Sequence, residues 1–377
     1  MSDWFVMIRQ QGPRLRTMPS INPQHEGSQG EFSRAKAETD LTPQLRTLLD
    51  GKTLSAEAAS DAFEAMMSGE VHHGEMGAML ALLADRGPSR DELLGAARVM
   101  RSHVSPITCK TPAENILDTA GTGGAPKTFN VSTAAAIVAS GAGAVVAKHG
   151  NRSRTGRGSA EVLQGLGVNV DANPAIQAKC MDEAGICFCF AIHHHPATKH
   201  VMPVRKALGV PTIFNLLGPL TNPAGAGRQL MGVYDESFLD VVGEVFIELG
   251  TKHAMVLHSE DGLDECSLSA PTSIVHVRNG EMGRLVITPE QAGLVSAPRE
   301  AVTARDLDHA IEMVRGVLDG TLEGPPLDMT LLNAAAALLV CDLCESIKEG
   351  VELARATVQQ GSAMDTLEQL SSISNSG

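Results

Sequence analysis

Four clusters of polar residues stand beside short apolar runs, and each is equipped for part of one chemical task. The first runs Asp118-Thr119-Ala120-Gly121-Thr122-Gly123-Gly124 and on to Asn130-Val131-Ser132-Thr133. Its glycines let backbone N–H groups approach phosphate oxygens with no Cβ in the way, and the helix that follows adds its N-terminal dipole. A tight strand–helix turn capped by hydroxyls uses the same residues, so this cluster alone leaves both readings open. The second is Lys148-His149-Gly150-Asn151-Arg152-Ser153, continuing through Arg154, Thr155 and Arg157. It gathers cations in a chain of formal net charge −14 and follows an apolar Val-Val run, an odd place for a merely solvated loop. Two such turns at neighbouring strand ends make a cradle for a heavily phosphorylated ligand.

The third cluster, Asp261-Gly262-Leu263-Asp264-Glu265, offers adjacent carboxylates. Mg²⁺ takes few protein ligands and leaves room for phosphate oxygens, so such a pair suits it; an acidic surface turn is the alternative. In the fourth, Arg205 precedes the proline-shaped apolar run Phe214-Asn215-Leu216-Leu217-Gly218-Pro219-Leu220-Thr221-Asn222-Pro223. An arginine beside such a wall can hold a carboxylate on a flat organic molecule, or can simply be the polar face of a helix. His193, His194 and His195 cannot all point one way, which argues against a transition-metal site there and at nearby His200.

The elements that must position these groups change along the chain. Residues 1–40 are rich in Gln, Ser, Pro, Arg and Gly and read as a flexible extension, with one apolar patch from Trp4 to Ile8 that could dock. Residues 41–110 read as a small helical domain, with Ser55 capping a helix that Gly69 ends and a capping box at Ser89-Arg90-Asp91-Glu92. Helices from about 195–230 are expected to join it. From 111 to 377 short apolar runs alternate with helices: Ile116-Leu117, Ala144–Ala147, Ile186–Ala191 and Met255–His258 as strands, Thr133–Ser140 and Ala160–Leu166 as helices, the latter capped by Ser159. Asn173-Pro174 opens another helix, and Ala304–Leu370 is largely helical. The expected class is α/β, a large domain around a mostly parallel sheet beside the small helical one.

Composition sets the bounds. With 377 residues, 43% apolar and 3% aromatic, the chain can bury a large core built from Ala, Leu, Val, Ile and Met. Its acidity argues against a nucleic-acid partner. No run approaches the about 18–20 apolar residues of a membrane span, and the start is too short for a signal-peptide core, so the chain reads as cytoplasmic. The seven cysteines read as reduced thiols, with Cys341 and Cys344 on one face of a buried helix.

Taken together, the motifs resemble the anthranilate phosphoribosyltransferase family. The likeness rests on Gly121–Gly124, Asn130–Thr133, Lys148–Ser153, Phe214–Pro223, Asp261–Glu265, Leu332–Ala336 and Gly350–Ala354, and runs from about Thr42 to Leu370. It implies transfer of phosphoribose from 5-phosphoribosyl diphosphate to the amine of anthranilate in tryptophan biosynthesis, usually by a homodimer; association with anthranilate synthase is not implied either way. By resemblance the diphosphate substrate is held by Gly121, Gly124, Ala125, Thr128, Asn130, Val131, Ser132, Thr133, Lys148, His149, Gly150, Asn151, Arg152, Ser153 and Ser159. Ser132, Asp264 and Glu265 carry Mg²⁺; Gly121, Asn151 and Arg205 face anthranilate; and Asn151, Arg205 and His149 are the catalytic candidates. A phosphoribosyltransferase with another aromatic acceptor, a pyrimidine nucleoside phosphorylase of shared architecture, and a non-catalytic nucleic-acid-binding relative are the rivals.

Two departures from the family pattern fall on one pocket face. Where the family turn reads Gly-Thr-Gly-Gly-Asp-Gly, Ala125 stands at the aspartate and the turn is one residue shorter, running on to Pro126 and Lys127. The second turn is also shorter, with Arg154-Thr155-Gly156-Arg157-Gly158 replacing a serine-rich stretch. The expectation is compensation, in which Lys127, Arg154 or Arg157 contacts the diphosphate.

Overall fold

A computed structural model describes residues 39–153 and 156–377. The expected extension, its Trp4–Ile8 patch and Arg154 therefore lie, but for residues 39 and 40, outside the described residues.

The chain opens with α1 (Thr42–Leu49), α2 (Ala56–Ser68), α3 (His73–Arg86) and α4 (Arg90–Ser102). Ser55 accepts from the Ala58 N–H at 3.2 Å and Gly69 closes α2 in the left-handed region at φ +81°, as their types require. Each such N-cap is worth about 1 kcal/mol. The capping box at Ser89 is formed, and its Glu92 is fully buried because it also accepts from the Leu54 N–H at 2.9 Å and meets Arg86 at 2.5 Å. A lone buried carboxylate would be costly; this one is paid for by three donors.

Strand–helix alternation follows: β1 (Ile116–Asp118), α5 (Val131–Gly141), β2 (Val145–Gly150), α6 (Ser159–Gly165), α7 (Pro174–Ala184) and β3 (Ile186–Phe190). The chain then returns to the first helices through α8 (Ala191–His194), α9 (Met202–Leu208) and α10 (Ile213–Leu220). It re-enters the sheet as β4 (Arg228–Gly232), α11 (Phe238–Glu248), β5 (His253–Ser259), β6 (Thr272–Arg278) and β7 (Glu281–Ile287). Four helices finish it: α12 (Leu307–Leu318), α13 (Pro325–Val340), α14 (Ile347–Gln359) and α15 (Ser362–Ser374).

The strands form one sheet in the order β3-β2-β1-β4-β5-β6-β7, with β1 to β5 mutually parallel and the last two joined antiparallel. The expected α/β class with a mostly parallel sheet is thus present. Successive residues face opposite ways: Leu230, Met255 and Leu257 enter a core with α5 and α12–α15, while Met231, Ala254 and Val256 enter another. That second core also contains α11 and Phe63, Met66, Leu80, Leu93, Phe214 and Leu217 of the helical layer. Phe63 and Phe214 pack with ring centroids 5.7 Å apart, joining α2 to α10.

Three local expectations change. Strand β2 continues through Lys148, His149 and Gly150, which the sequence places in a turn, because they stay in parallel register with Phe188, Cys189 and Phe190 of β3. Ser159 is the first residue of α6 rather than its cap; Gly158 holds that place, its N–H donated to Glu161 at 3.0 Å. Cys341 and Cys344 do not share a helix face, since α13 ends at Val340 and Asp342 turns left-handed at φ +57°. Burial pushes these thiols up to about 12 and about 11, far from a reactive thiolate.

Candidate active site

In an open parallel sheet, ligands lie beyond the carboxyl ends of the strands where the order reverses. Here that point is β1, flanked by β2 and β4. Asp118 closes β1, fully buried, and its carboxylate accepts from the Ala120 and His149 N–H groups at 3.1 Å each and from Asn222 Nδ2 at 2.8 Å. Burial still pushes it up to about 6. Asp118 therefore pins both turns to one another, a role its place at the head of the first cluster does not reveal.

The first turn leaves β1 as Thr119–Gly124. Gly123 and Gly124 have φ of +63° and +99°, which their lack of a side chain permits, and a Cβ on Gly124 would touch the Tyr234 ring at 3.5 Å. Thr122 is stitched to β4 by its N–H to the Gly232 carbonyl at 2.9 Å and by the Tyr234 N–H to its hydroxyl at 3.0 Å. Asn130 precedes α5 in the left-handed region at φ +73°, and donates Nδ2 to the Arg157 carbonyl at 3.4 Å. Asparagine tolerates that conformation better than most residues. Thr133 is fully buried at this helix start, with its hydroxyl unpartnered among the described residues.

Lys148, 3% exposed, reaches along the sheet end to Thr119 Oγ1 at 3.3 Å and Ser132 Oγ at 3.4 Å. Burial pulls it down to about 8, against the opposing pull of Asp118 and Glu265. The carboxylates come from the loop after β5. Glu265 accepts from Thr128 Oγ1 at 2.8 Å and from the Ser132 N–H at 3.3 Å. Burial, then the neighbouring Asp264 charge, pushes it up to about 7, and burial raises Asp264 as well. Asp264 presses on the first turn: a Cβ on Gly121 would lie 3.0 Å from its Oδ2, and one on Gly232 only 1.8 Å from its carbonyl oxygen. Thr119, Gly121, Ser132, Gly232, Asp264 and Glu265 border a cavity of about 50 Å³.

These groups fit Mg²⁺. Two adjacent half-buried carboxylates raise the cost of their own ionisation, which a divalent cation removes, and the donors are all oxygen. Among the described residues no group of three or more His, Cys, Asp or Glu forms a metal cage, but Mg²⁺ shared with phosphate oxygens needs none.

The second turn is built on close approach. A Cβ on Gly150 would fall 2.2 Å from Ser159 Oγ and 2.6 Å from the Phe188 ring. Asn151 and Arg152 are exposed, Asn151 Oδ1 accepting the Arg152 N–H at 2.8 Å and Arg152 lying 5.6 Å over the Phe190 ring. Lys127 donates to Ser153 and so ties the first turn to the second, whereas Arg157 donates to the Ala304 carbonyl. Burial and the Arg157 charge hold Lys127 below its usual range.

Across the cleft, Arg205 of α9 lies 5.1 Å over the Phe214 ring and donates to Asn215 Oδ1 at 3.4 Å. Asn215 in turn donates Nδ2 to the Thr122 carbonyl at 3.2 Å. His149 donates Nδ1–H to the Gly218 carbonyl at 3.0 Å, and its Nε2 is 3.2 Å from His195 Nε2. A carbonyl only accepts, so the neutral His149 Nε2 must accept from His195. Burial drives His149 down to about 3 and His195 to about 4. With both ring nitrogens engaged, His149 offers no free ring nitrogen to the cleft. His193 turns instead to Asp171 at 2.8 Å and His194 to the Ser105 carbonyl at 2.8 Å, so the three rings diverge.

A larger cavity of about 720 Å³ lies at the opening end of β5, among His253, His276, Arg278 and Asp342. Its charged groups form a structural clamp, Asp342 receiving Arg228 at 2.7 Å and Arg278 at 2.8 Å. The small cavity at the closing end of the strands is where the first glycine turn and the carboxylates converge.

Sheet and helical layer together are those of a class of glycosyl transferases. Residues 113–364 match the glycosyl transferase family a/b domain, and residues 42–104 its helical bundle domain. Within that class the chain belongs to the anthranilate phosphoribosyltransferase family. It is 44% identical over 336 residues to the anthranilate phosphoribosyltransferase of Thermomicrobium roseum, covering 88% of this chain and 96% of that one. The crystal structure of the enzyme from Thermus thermophilus superposes with a TM-score of 0.83 at 38% identity, covering 88% and 99% of the two chains. That of Saccharomyces cerevisiae, in complex with PRPP and Mg, gives 0.81 at 26% identity, covering 89% and 98%.

Proposed function

We propose that this protein transfers phosphoribose from 5-phosphoribosyl diphosphate to the amine of anthranilate, releasing diphosphate. One observation carries the reading: Lys148, Ser132 and the glycine turn meet Asp264 and Glu265 on the floor of a cleft, and Arg205 faces them through Asn215. Anthranilate is a flat aromatic carboxylate, and Arg205 against Phe214 supplies a cation beside an apolar wall.

In this reading Lys148 and the first-turn N–H groups hold the diphosphate as negative charge builds on it, and Asp264 and Glu265 hold Mg²⁺, which neutralises that charge. Asn151, at the exposed rim of β2, and Arg205 align the amine with the ribose carbon. Electrostatic stabilisation of the leaving group and alignment supply most of the acceleration. An aromatic amine is neutral near pH 7, so no strong base is required. The remaining residues selected from the sequence line the turns as diphosphate contacts, with Arg157 acting through the backbone.

The same reading makes the protein a cytoplasmic homodimer. Leu49, Ile192, Met202 and Val210 are exposed apolar side chains of the helical layer, and no described helix is long and apolar enough to cross a membrane. Light scattering on the purified protein tests the dimer. Loss of anthranilate fluorescence on adding 5-phosphoribosyl diphosphate and Mg²⁺ tests the activity; folded protein that leaves the fluorescence unchanged refutes it.

A further inference from the structure

Asn215 is where the two sides of the cleft touch through one side chain. It sits in the first turn of α10, on the helical layer, and its Oδ1 accepts from both Arg205 Nη2 at 3.4 Å and the Thr212 N–H at 3.1 Å. Its Nδ2 donates at 3.2 Å to the carbonyl of Thr122, in the turn beyond β1. Thr122 has little freedom of its own, being 6% exposed and bonded twice to the end of β4. Its neighbour Gly121 lies against Asp264. A continuous path therefore runs from the arginine, through one amide, to the turn that borders the carboxylate pair.

The amide is matched to this place. An arginine and a backbone N–H both need an acceptor, and a carbonyl needs a donor; only a side-chain amide offers both ends in one plane. Arg205 would otherwise be free to pivot over Phe214, because its other side-chain polar contact among the described residues is a weak one to Met202 sulfur at 3.8 Å. The Thr122 carbonyl would lose its side-chain donor.

We propose that Asn215 is a positioning residue that makes acceptor binding and diphosphate binding depend on one another. It touches neither reacting atom. It orients Arg205 toward the acceptor carboxylate and fixes the glycine turn around the diphosphate, so a change at either end is felt at the other. The proposal rests on the functional reading above and assigns within it a residue the sequence motifs left without a role.

The test uses the full chain as wild type, Asn215→Ala, Asn215→Asp and Arg205→Ala. Calorimetry measures binding of 5-phosphoribosyl diphosphate with Mg²⁺ and no anthranilate, and steady-state assays give both KM values. Losing one hydrogen bond at each end predicts that Asn215→Ala weakens diphosphate-substrate binding about fivefold to tenfold and raises the anthranilate KM by a similar factor. Arg205→Ala should raise the anthranilate KM and, because it frees one side of Asn215, also weaken diphosphate-substrate binding about twofold to threefold, less than Asn215→Ala does. Asn215→Asp keeps the acceptor and loses the donor, so it must still weaken diphosphate-substrate binding; it also carries the test if Asn215→Ala does not fold. An effect confined to the anthranilate KM, or a drop in melting temperature with both constants unchanged, reduces Asn215 to a helix brace and overturns the proposal. Wild type that binds the diphosphate substrate but consumes no anthranilate overturns the functional reading instead, and the calorimetric comparison still decides the Asn215–Thr122 link.

Discussion

The carboxylate of Glu265 accepts the backbone N–H of Ser132 at 3.3 Å, so the loop after β5 is docked onto the first turn of α5. One acid thereby serves a helix N-terminus, the Thr128 hydroxyl and, in the functional reading, a cation. Removing it should do more than remove charge. Glu265→Gln keeps the shape and one acceptor oxygen, and is expected to raise the Mg²⁺ concentration needed for half-maximal rate by at least about tenfold. Asp264→Asn should act in the same direction. Rates measured across a Mg²⁺ titration check both, and unchanged half-saturation in either variant removes that residue from the metal site.

Titration of the same pair gives a stability prediction. Glu265 ordinarily ionises at 4.5 and stands at about 7 in the fold, so the folded state binds more protons between those values. Its contribution is therefore present at low pH and is lost as pH rises through about 7. Bound Mg²⁺ needs the ionised form and should reverse this loss. Melting temperature should rise on adding Mg²⁺ at pH 8 and respond much less at pH 5.5. Equal Mg²⁺ shifts at both pH values would contradict the assignment.

Arg205 supplies charge and planarity together. Arg205→Lys keeps the charge but loses the fork and the stacking on Phe214, and is expected to raise the anthranilate KM about tenfold, with Arg205→Ala higher still. The KM for 5-phosphoribosyl diphosphate should move far less in Arg205→Lys. Steady-state kinetics with each substrate varied in turn reads this split.

Lys127 and Arg157 part company. Lys127 spans from the first turn to Ser153, whereas Arg157 is committed to the Ala304 carbonyl. Lys127→Ala should therefore weaken diphosphate-substrate binding and steepen its Mg²⁺ dependence, while Arg157→Ala should chiefly lower the melting temperature. If Mg²⁺ dependence is unchanged in Lys127→Ala, the compensation idea fails.

Gly150→Ala probes the second turn. The added Cβ would sit 2.2 Å from Ser159 Oγ and 2.6 Å from the Phe188 ring, closer than packed atoms allow. Overpacking of this kind costs about 1–3 kcal/mol, and it would displace Lys148 and Asn151 on either side. Thermal unfolding and activity should fall together; normal activity in a normally stable variant would show that the turn has room to adapt.

Legibility in the sequence followed the range of the interactions. Strands β1, β2, β3 and β5 show as apolar runs, and Ser55, Ser89 and Asn173 show as caps, because each signal lies within a few residues. Strand β4 does not read as one. It begins Arg228-Gln229, and that arginine is buried only because Asp342 and the Val340 carbonyl, far along the chain, receive it. Strand β7 is an exposed edge with almost no apolar alternation. In the site, the two turns and the carboxylate pair are contiguous motifs and were visible. The joins across the cleft were not: Asp118 to Asn222, Asn215 to Thr122 and His195 to His149 each link residues brought together only by the fold.

The two facing imidazoles have a consequence for where acid goes. His149 and His195 sit at about 3 and about 4, so both rings stay uncharged throughout the working range and neither can store a proton from the amine. When nitrogen bonds to the ribose carbon it must shed one hydrogen ion, and this wall of the cleft cannot keep it. That ion leaves with diphosphate or enters the medium. A weakly buffered reaction should therefore acidify only by the fraction of diphosphate released without taking up that ion, an extent set by the protonation state of free diphosphate rather than by any group on the protein.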